Sequence, residues 1–139
     1  MIRVVLDTNV VVSALLKPGS IPSSILQLCL ADAGFELAAS QSLLGEYEEV
    51  LRRPAFAFTP GLVDRLMELI RQKSIAVSPA PSLVALVTHA ADAMVLECAI
   101  AAAADFLVTG NRSHFVGDRH GPTRIVTPAQ FLELLLAGG

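Results

Sequence analysis

The chain opens on residues 2–6, which are apolar and rich in β-branched side chains apart from Arg3, with no alternation between two faces. Such a run predicts a strand covered on both sides. It passes directly into Asp7-Thr8-Asn9 and then Val10-Val11-Val12, where a helical stretch begins. Lys17-Pro18-Gly19-Ser20 breaks that stretch, and Ile21, Ile25, Leu28 and Leu30 mark a second helix starting near Ser20. Residues 35–39 predict a second strand. Ser40 or Ser42 can cap the next helix, whose Leu43, Leu44, Tyr47, Val50 and Leu51 recur at helical spacing until Pro54 stops it.

Between Pro60 and Lys73, Leu62, Val63, Leu66, Leu69 and Ile70 share a helical face. A short extended piece at Ile75-Ala76-Val77 and a Ser/Pro-rich connection through Ser82 follow. Asp92 is the expected cap of an alanine-rich helix ending near Ala104, and residues 106–108 predict a strand ending at Thr109-Gly110-Asn111. Residues 124–126 predict another strand, and Thr127 and Pro128 fit the cap and first turn of a last helix. Strands alternating with helices predict an α/β fold with an open parallel sheet and helices on both faces. At 139 residues the whole chain, 1–139, fits one domain.

Composition supports elements buried on both faces: 53% of residues are hydrophobic, only 17% are charged, and mean hydropathy is +0.60. The longest apolar stretch, residues 93–104, contains Glu97 and falls short of the ~20 residues a bilayer span needs, so it reads as a core helix and no membrane association is expected. Asp7 stands where an export signal would need its apolar segment, which leaves a cytoplasmic location as the expectation. Cys29 and Cys98 lack metal-ligand spacing and read as small buried hydrophobes in a reducing compartment. His89 and His120 fall in predicted loops without matching His or Cys spacing and receive no role. A net charge of -3 does not advertise affinity for phosphate backbones, so any phosphate chemistry would lean on a bound cation.

In an open parallel sheet, ligands bind beyond the carboxyl ends of the strands, the rim where Asp7 and Gly110-Asn111 emerge. A helix following a parallel strand starts at that rim, which keeps Glu46 near it. A helix preceding a strand also turns its N-terminus to that rim, which brings Asp92 there. Each residue has a plainer reading as well. Asp7 and Asp92 can serve as helix caps, and Glu48 flanks its apolar stripe as well as Glu46 does, although Glu46 lies nearer the helix start. Three carboxylates in one confined site repel each other and call for a cation. An all-oxygen donor set suits Mg²⁺, or Mn²⁺, better than zinc. Such an ion can lower the pKa of water and neutralise charge at a phosphodiester. Thr8, Asn9 and Thr109 are placed to orient the carboxylates.

Five segments occur in a telling order: Val4-Val5-Leu6-Asp7-Thr8-Asn9-Val10, Ser40 with Leu43-Leu44-Gly45-Glu46, Asp92 through Leu96-Glu97-Cys98-Ala99, residues 104–111, and Ile125-Val126-Thr127-Pro128 with Phe131-Leu132. In these the chain resembles PIN-domain proteins of the bacterial or archaeal VapC-like toxin type. The resemblance implies a three-layer α/β/α PIN-like domain with a central parallel sheet of four or five strands. It further implies a Mg²⁺-dependent endoribonuclease acting on RNA, commonly homodimeric and neutralised by a cognate antitoxin, with Asp7, Glu46 and Asp92 as metal ligands and Asn111 assisting. Family members often carry a fourth acidic residue where Asn111 stands, or three residues later, where this chain has His114. That departure sets a second expectation beside the first, a catalytically weakened PIN module that binds RNA or a partner protein.

Overall fold

The computed structural model describes residues 1–31, 33–78 and 86–138, so most of the expected Ser/Pro-rich connection lies outside the described residues. Its sheet is built on β1 (Ile2–Leu6), whose Val4, Val5 and Leu6 are fully buried. β1 pairs in parallel with β2 (Phe35–Ala39) on one side and β4 (Phe106–Val108) on the other. Parallel β6 (Thr123–Val126) adds to β4, and two-residue edges, β3 (Ile75–Ala76) and antiparallel β5 (Arg119–His120), complete the order β3-β2-β1-β4-β6-β5. The sheet thus has six strands rather than four or five. β3 falls on the short extended piece expected at residues 75–77, and the addition is β5, an edge piece too short to show a pattern of its own.

The connecting helices are α1 (Thr8–Leu16), α2 (Ile21–Leu30), α3 (Gln41–Leu51), α4 (Pro60–Lys73), α5 (Ala90–Ala101) and α6 (Pro128–Ala137). They cover the sheet in an α/β/α arrangement, with α5 on β1, β2 and β4, and α6 on β4, β6 and α2. Local signals set most of the boundaries. Ser20 and Ser40 accept from the backbone N–H of Ser23 and Leu43, and Thr127 and Gln130 form a reciprocal capping box. Phe131 anchors α6 by meeting the rings of Phe106 and Phe35 edge-on, at centroid distances of 5.1 and 6.1 Å. Among the described residues, no helix is long and apolar enough to cross a membrane.

Both ends of α5 depart from the sequence reading. Its cap is His89, not Asp92, which sits in the first helical turn. The chain ahead of the helix is fixed by an antiparallel bridge between Val87 and Phe115 and by the Thr88 N–H to His114 carbonyl bond of 2.6 Å, so the helix starts earlier than Asp92. At its other end, Ala104 donates to the Ala99 carbonyl at 2.9 Å and Ala103 to that of Ile100 at 3.0 Å, with Ala103 at φ 49°. This is a Schellman closure with alanine where glycine is usual, so the alanine run carries no visible stop.

At the opposite end of the sheet from Asp7, Arg3 is held by the Ala102 carbonyl at 2.8 Å and by Glu36 at 3.3 Å, while its N–H donates to Asp105 at 2.8 Å. Asp105 is therefore a structural clasp. Tyr47 links α3 to the site rim: fully buried, it donates its hydroxyl to the Leu6 carbonyl, one residue before Asp7. Burial holds that phenol well above its ordinary pKa, so it stays a donor. Tyr47→Phe should cost about 1–2 kcal/mol of stability. Urea unfolding is expected to show a lower midpoint at unchanged slope, and an unchanged midpoint would remove Tyr47 from this role.

Candidate active site

Asp7 stands one residue beyond β1, with its N–H bonded to the Val108 carbonyl at 2.9 Å, and Thr109 stands beyond β4, bonded likewise to Val126 at 2.9 Å. Strand pairing therefore delivers the two side chains next to each other at the carboxyl rim. Asp7 is only 4% exposed. One of its carboxylate oxygens accepts the Thr8 N–H at 2.8 Å, which is the cap of α1. The other accepts the Thr109 hydroxyl at 2.7 Å and the Asn9 amide at 3.3 Å. Asp7 thus caps α1 with one oxygen while the other faces Thr109 and Asn9 at the rim.

Asn9 joins the two strand ends, because its Oδ1 accepts the Gly110 N–H at 2.9 Å. A side chain at position 110 would place Cβ 3.2 Å from that oxygen, which accounts for glycine at the close approach. Thr109 in turn accepts the Asn111 N–H at 3.0 Å. Asn111 itself is exposed at the mouth of the site.

On α3, Glu46 accepts the hydroxyl proton of Thr8. Glu48 points away from the rim into a lattice of ion pairs with Arg52 at 3.1 Å and Arg71 at 2.8 Å, which ties α3 to α4. The choice that periodicity leaves open falls to Glu46. Asp92 reaches the site from the first turn of α5, where an anion is favoured by the helix dipole, and its Oδ2 lies 2.9 Å from His114 Nδ1. His114 comes from a single 3-10 turn, Arg112–His114, just after β4, and stacks on His89 at a centroid distance of 3.9 Å.

The structure therefore gathers Asp7, Glu46 and Asp92, with Asn111 at the edge. Their mutual repulsion is visible in Asp7, whose pKa is pushed up to about 6, first by burial and then by the charges of Asp92 and Glu46, against the Thr109 and Thr8 hydrogen bonds. The ion pairs of Arg3, Arg52, Arg53 and Arg71 all engage other carboxylates. A partly buried cluster of carboxylates of this kind fits a hard divalent cation. His89 escapes sequence reasoning, although it stands three residues, one helical turn, before Asp92. His114 is marked in the sequence by the family's fourth acidic position, but its pairing with His89 comes only through the Val87–Phe115 bridge.

The raised pKa of Asp7 has a consequence for stability. A carboxyl that binds its proton more tightly in the folded than in the unfolded chain loses stability as pH rises from about 4 through 6, and the loss is complete above the folded value. In metal-free protein, Asp7→Asn should therefore be more stable than the parent at pH 7.5, on the order of 1–3 kcal/mol, with the gap closing below pH 5. Thermal unfolding of both proteins across this range in chelator checks it. A variant less stable at pH 7.5 would show that the carboxylate is not under strain.

A family model described as PIN domain matches residues 3–113. Comparison with curated proteins finds no match. The matched span contains Asp7, Glu46, Asp92 and Asn111. PIN domains are generally metal-dependent nucleases and typically bind divalent ions, in keeping with the acidic rim described above. The parallel core, the carboxylates at its rim and the match across most of the chain lead to one assignment: this chain belongs to the PIN-domain family.

Proposed function

We propose that the chain is a Mg²⁺-dependent endoribonuclease that hydrolyses RNA phosphodiester bonds, with Asp7, Glu46 and Asp92 as metal ligands and Asn111 assisting at the rim. The observation that carries this reading is the buried Asp7 carboxylate facing Asp92 and Glu46, with neutral hydrogen-bond donors in place of a basic partner among the described residues. The chain's own residues supply rigidity. Thr109 and Asn9 fix the orientation of Asp7, Thr8 fixes Glu46, and His114 fixes Asp92. When bound, a divalent ion at this site supplies Lewis-acid chemistry, lowering the pKa of water and neutralising charge at phosphorus. Mn²⁺ meets the same oxygen donors.

The resemblance in motif order extends the proposal to biology. In that reading the chain is the VapC-like toxin of a toxin–antitoxin pair, working in the cytoplasm as a homodimer and silenced by a cognate antitoxin. A second reading draws on Asn111 and His114, neither of which is a carboxylate at positions where family members often carry one. In it the module binds RNA or a partner protein with little turnover.

Cleavage of single-stranded RNA by the purified chain with Mg²⁺, against a chelator control, separates the two. The nuclease reading expects chelator-sensitive cleavage that falls at least ~100-fold in Asp7→Asn and Asp92→Asn. Undiminished cleavage by Asp7→Asn rejects the residue assignment. RNA retention without Mg²⁺-dependent cleavage favours the binding module.

A further inference from the structure

His89, Asp92 and His114 form a second cluster beside the carboxylate centre, each offering a donor atom within 4.8 Å of those of the other two. We propose that these three residues bind a nitrogen-seeking divalent ion of the Zn²⁺ class, so that this chain carries a mixed His/Asp metal site sharing Asp92 with the all-oxygen centre.

Three observations support the site. The 2.9 Å separation between His114 Nδ1 and Asp92 Oδ2 is now spanned by a proton. Two ligands in tetrahedral positions, each about 2.1 Å from an ion, stand about 3.4 Å apart, so a metal takes the place of that proton, which leaves to solvent, once the pair opens by about half an ångström. Second, His89 has one ring nitrogen anchored: its Nδ1 lies 3.0 Å from the Thr88 hydroxyl oxygen, which also lies 3.2 Å from the His114 carbonyl. In the tautomer that donates from Nδ1 to that hydroxyl, Nε2 is left as a lone-pair ligand. An imidazole whose other nitrogen is hydrogen-bonded in this way is the usual form of a metal-bound histidine.

Third, the cluster is held together before any ion arrives. The bridge between Val87 and Phe115, the Val116 N–H to Leu86 carbonyl bond of 2.8 Å and the Thr88 to His114 backbone bond join the segment ahead of α5 to the turn after β4. The imidazoles lie face to face, 26° from parallel, so the rings must turn for both lone pairs to meet one ion, while the backbone that carries them is already in place. Nitrogen donors also change ion preference. Mg²⁺ suits carboxylate and water ligands, whereas imidazole suits zinc and its neighbours in the transition series. The His/Asp site stands without the nuclease reading, and only the sharing of Asp92 with a bound Mg²⁺ rests on it.

The experiment follows the imidazole nitrogens of the ¹⁵N-labelled full chain by long-range ¹H–¹⁵N spectra during addition of Zn²⁺. The chain has three histidines, and His120, engaged with the Val116 carbonyl at 2.6 Å, serves as internal control. The site predicts that His89 and His114 respond together and saturate at one equivalent while His120 stays fixed. It also predicts that His89→Ala and His114→Ala each weaken Zn²⁺ binding at least ~10-fold by calorimetry, more than Asp7→Asn does. Unmoved His89 and His114 resonances overturn the proposal, as does a response shared equally by all three histidines. Zn²⁺ binding that vanishes in Asp7→Asn but persists in both histidine variants also overturns it, by placing the ion among the carboxylates. His89 is exposed, so its alanine variant leaves the core untouched, and the spectra of the unsubstituted chain decide the question even if His114→Ala fails to fold.

Discussion

Negative charge gathered at the end of a buried parallel sheet is the constraint on which the rest of this molecule turns. A lone carboxylate there would have to lose its charge or find donors, and Asp7 finds three, from Thr8, Asn9 and Thr109. Those donors hold the group in place but bring no positive charge. With Asp92 and Glu46 close enough to raise its pKa further, the metal-free site sits at an electrostatic disadvantage that the apolar core must offset. The fold tolerates the strain because β1, the strand that delivers Asp7, is buried at its centre between β2 and β4. A cation entering this pocket would meet oriented oxygens, and little reorganisation would remain to oppose binding.

Much of this arrangement is legible in the sequence, for physical reasons that differ by residue. The buried strands announce themselves as unbroken apolar runs, and the Ser20, Ser40 and Thr127 caps lie at the predicted helix starts. Parallel topology then places the carboxyl ends of β1 and β4 on one rim, so Asp7 and Asn111 follow without any knowledge of side-chain packing. Glu46 is harder to single out, because Glu48 is equally compatible with the apolar stripe. Nearness to the helix start and the motif resemblance favour Glu46 in the sequence, and in three dimensions Thr8 meets Glu46, while Arg52 and Arg71 of the α3–α4 face take Glu48.

What escapes the sequence depends on contacts distant along the chain. The true start of α5 is set by backbone bonds to the segment around Phe115, and its end by a left-handed alanine, neither of which leaves a compositional mark. Composition consequently points to Asp92 for the capping role that His89 fills, although the helix direction alone suffices to bring that carboxylate to the rim. The pairing of His89 with His114 stays hidden because ligand spacing along one chain segment is a poor guide when two segments are clasped by a bridge. The edge strand β5, at two residues, falls below the length at which any period can be recognised, whereas β3 matches the short extended piece expected at Ile75-Ala76-Val77.

Anomalous diffraction from crystals of the chain soaked in millimolar Mn²⁺ addresses the central claim directly. The account predicts a peak about 2.0–2.3 Å from carboxylate oxygens of Asp7 and at least one of Glu46 and Asp92. Crystals that take up Mn²⁺ only elsewhere, or that show these three side chains turned away from a common ion, would contradict it.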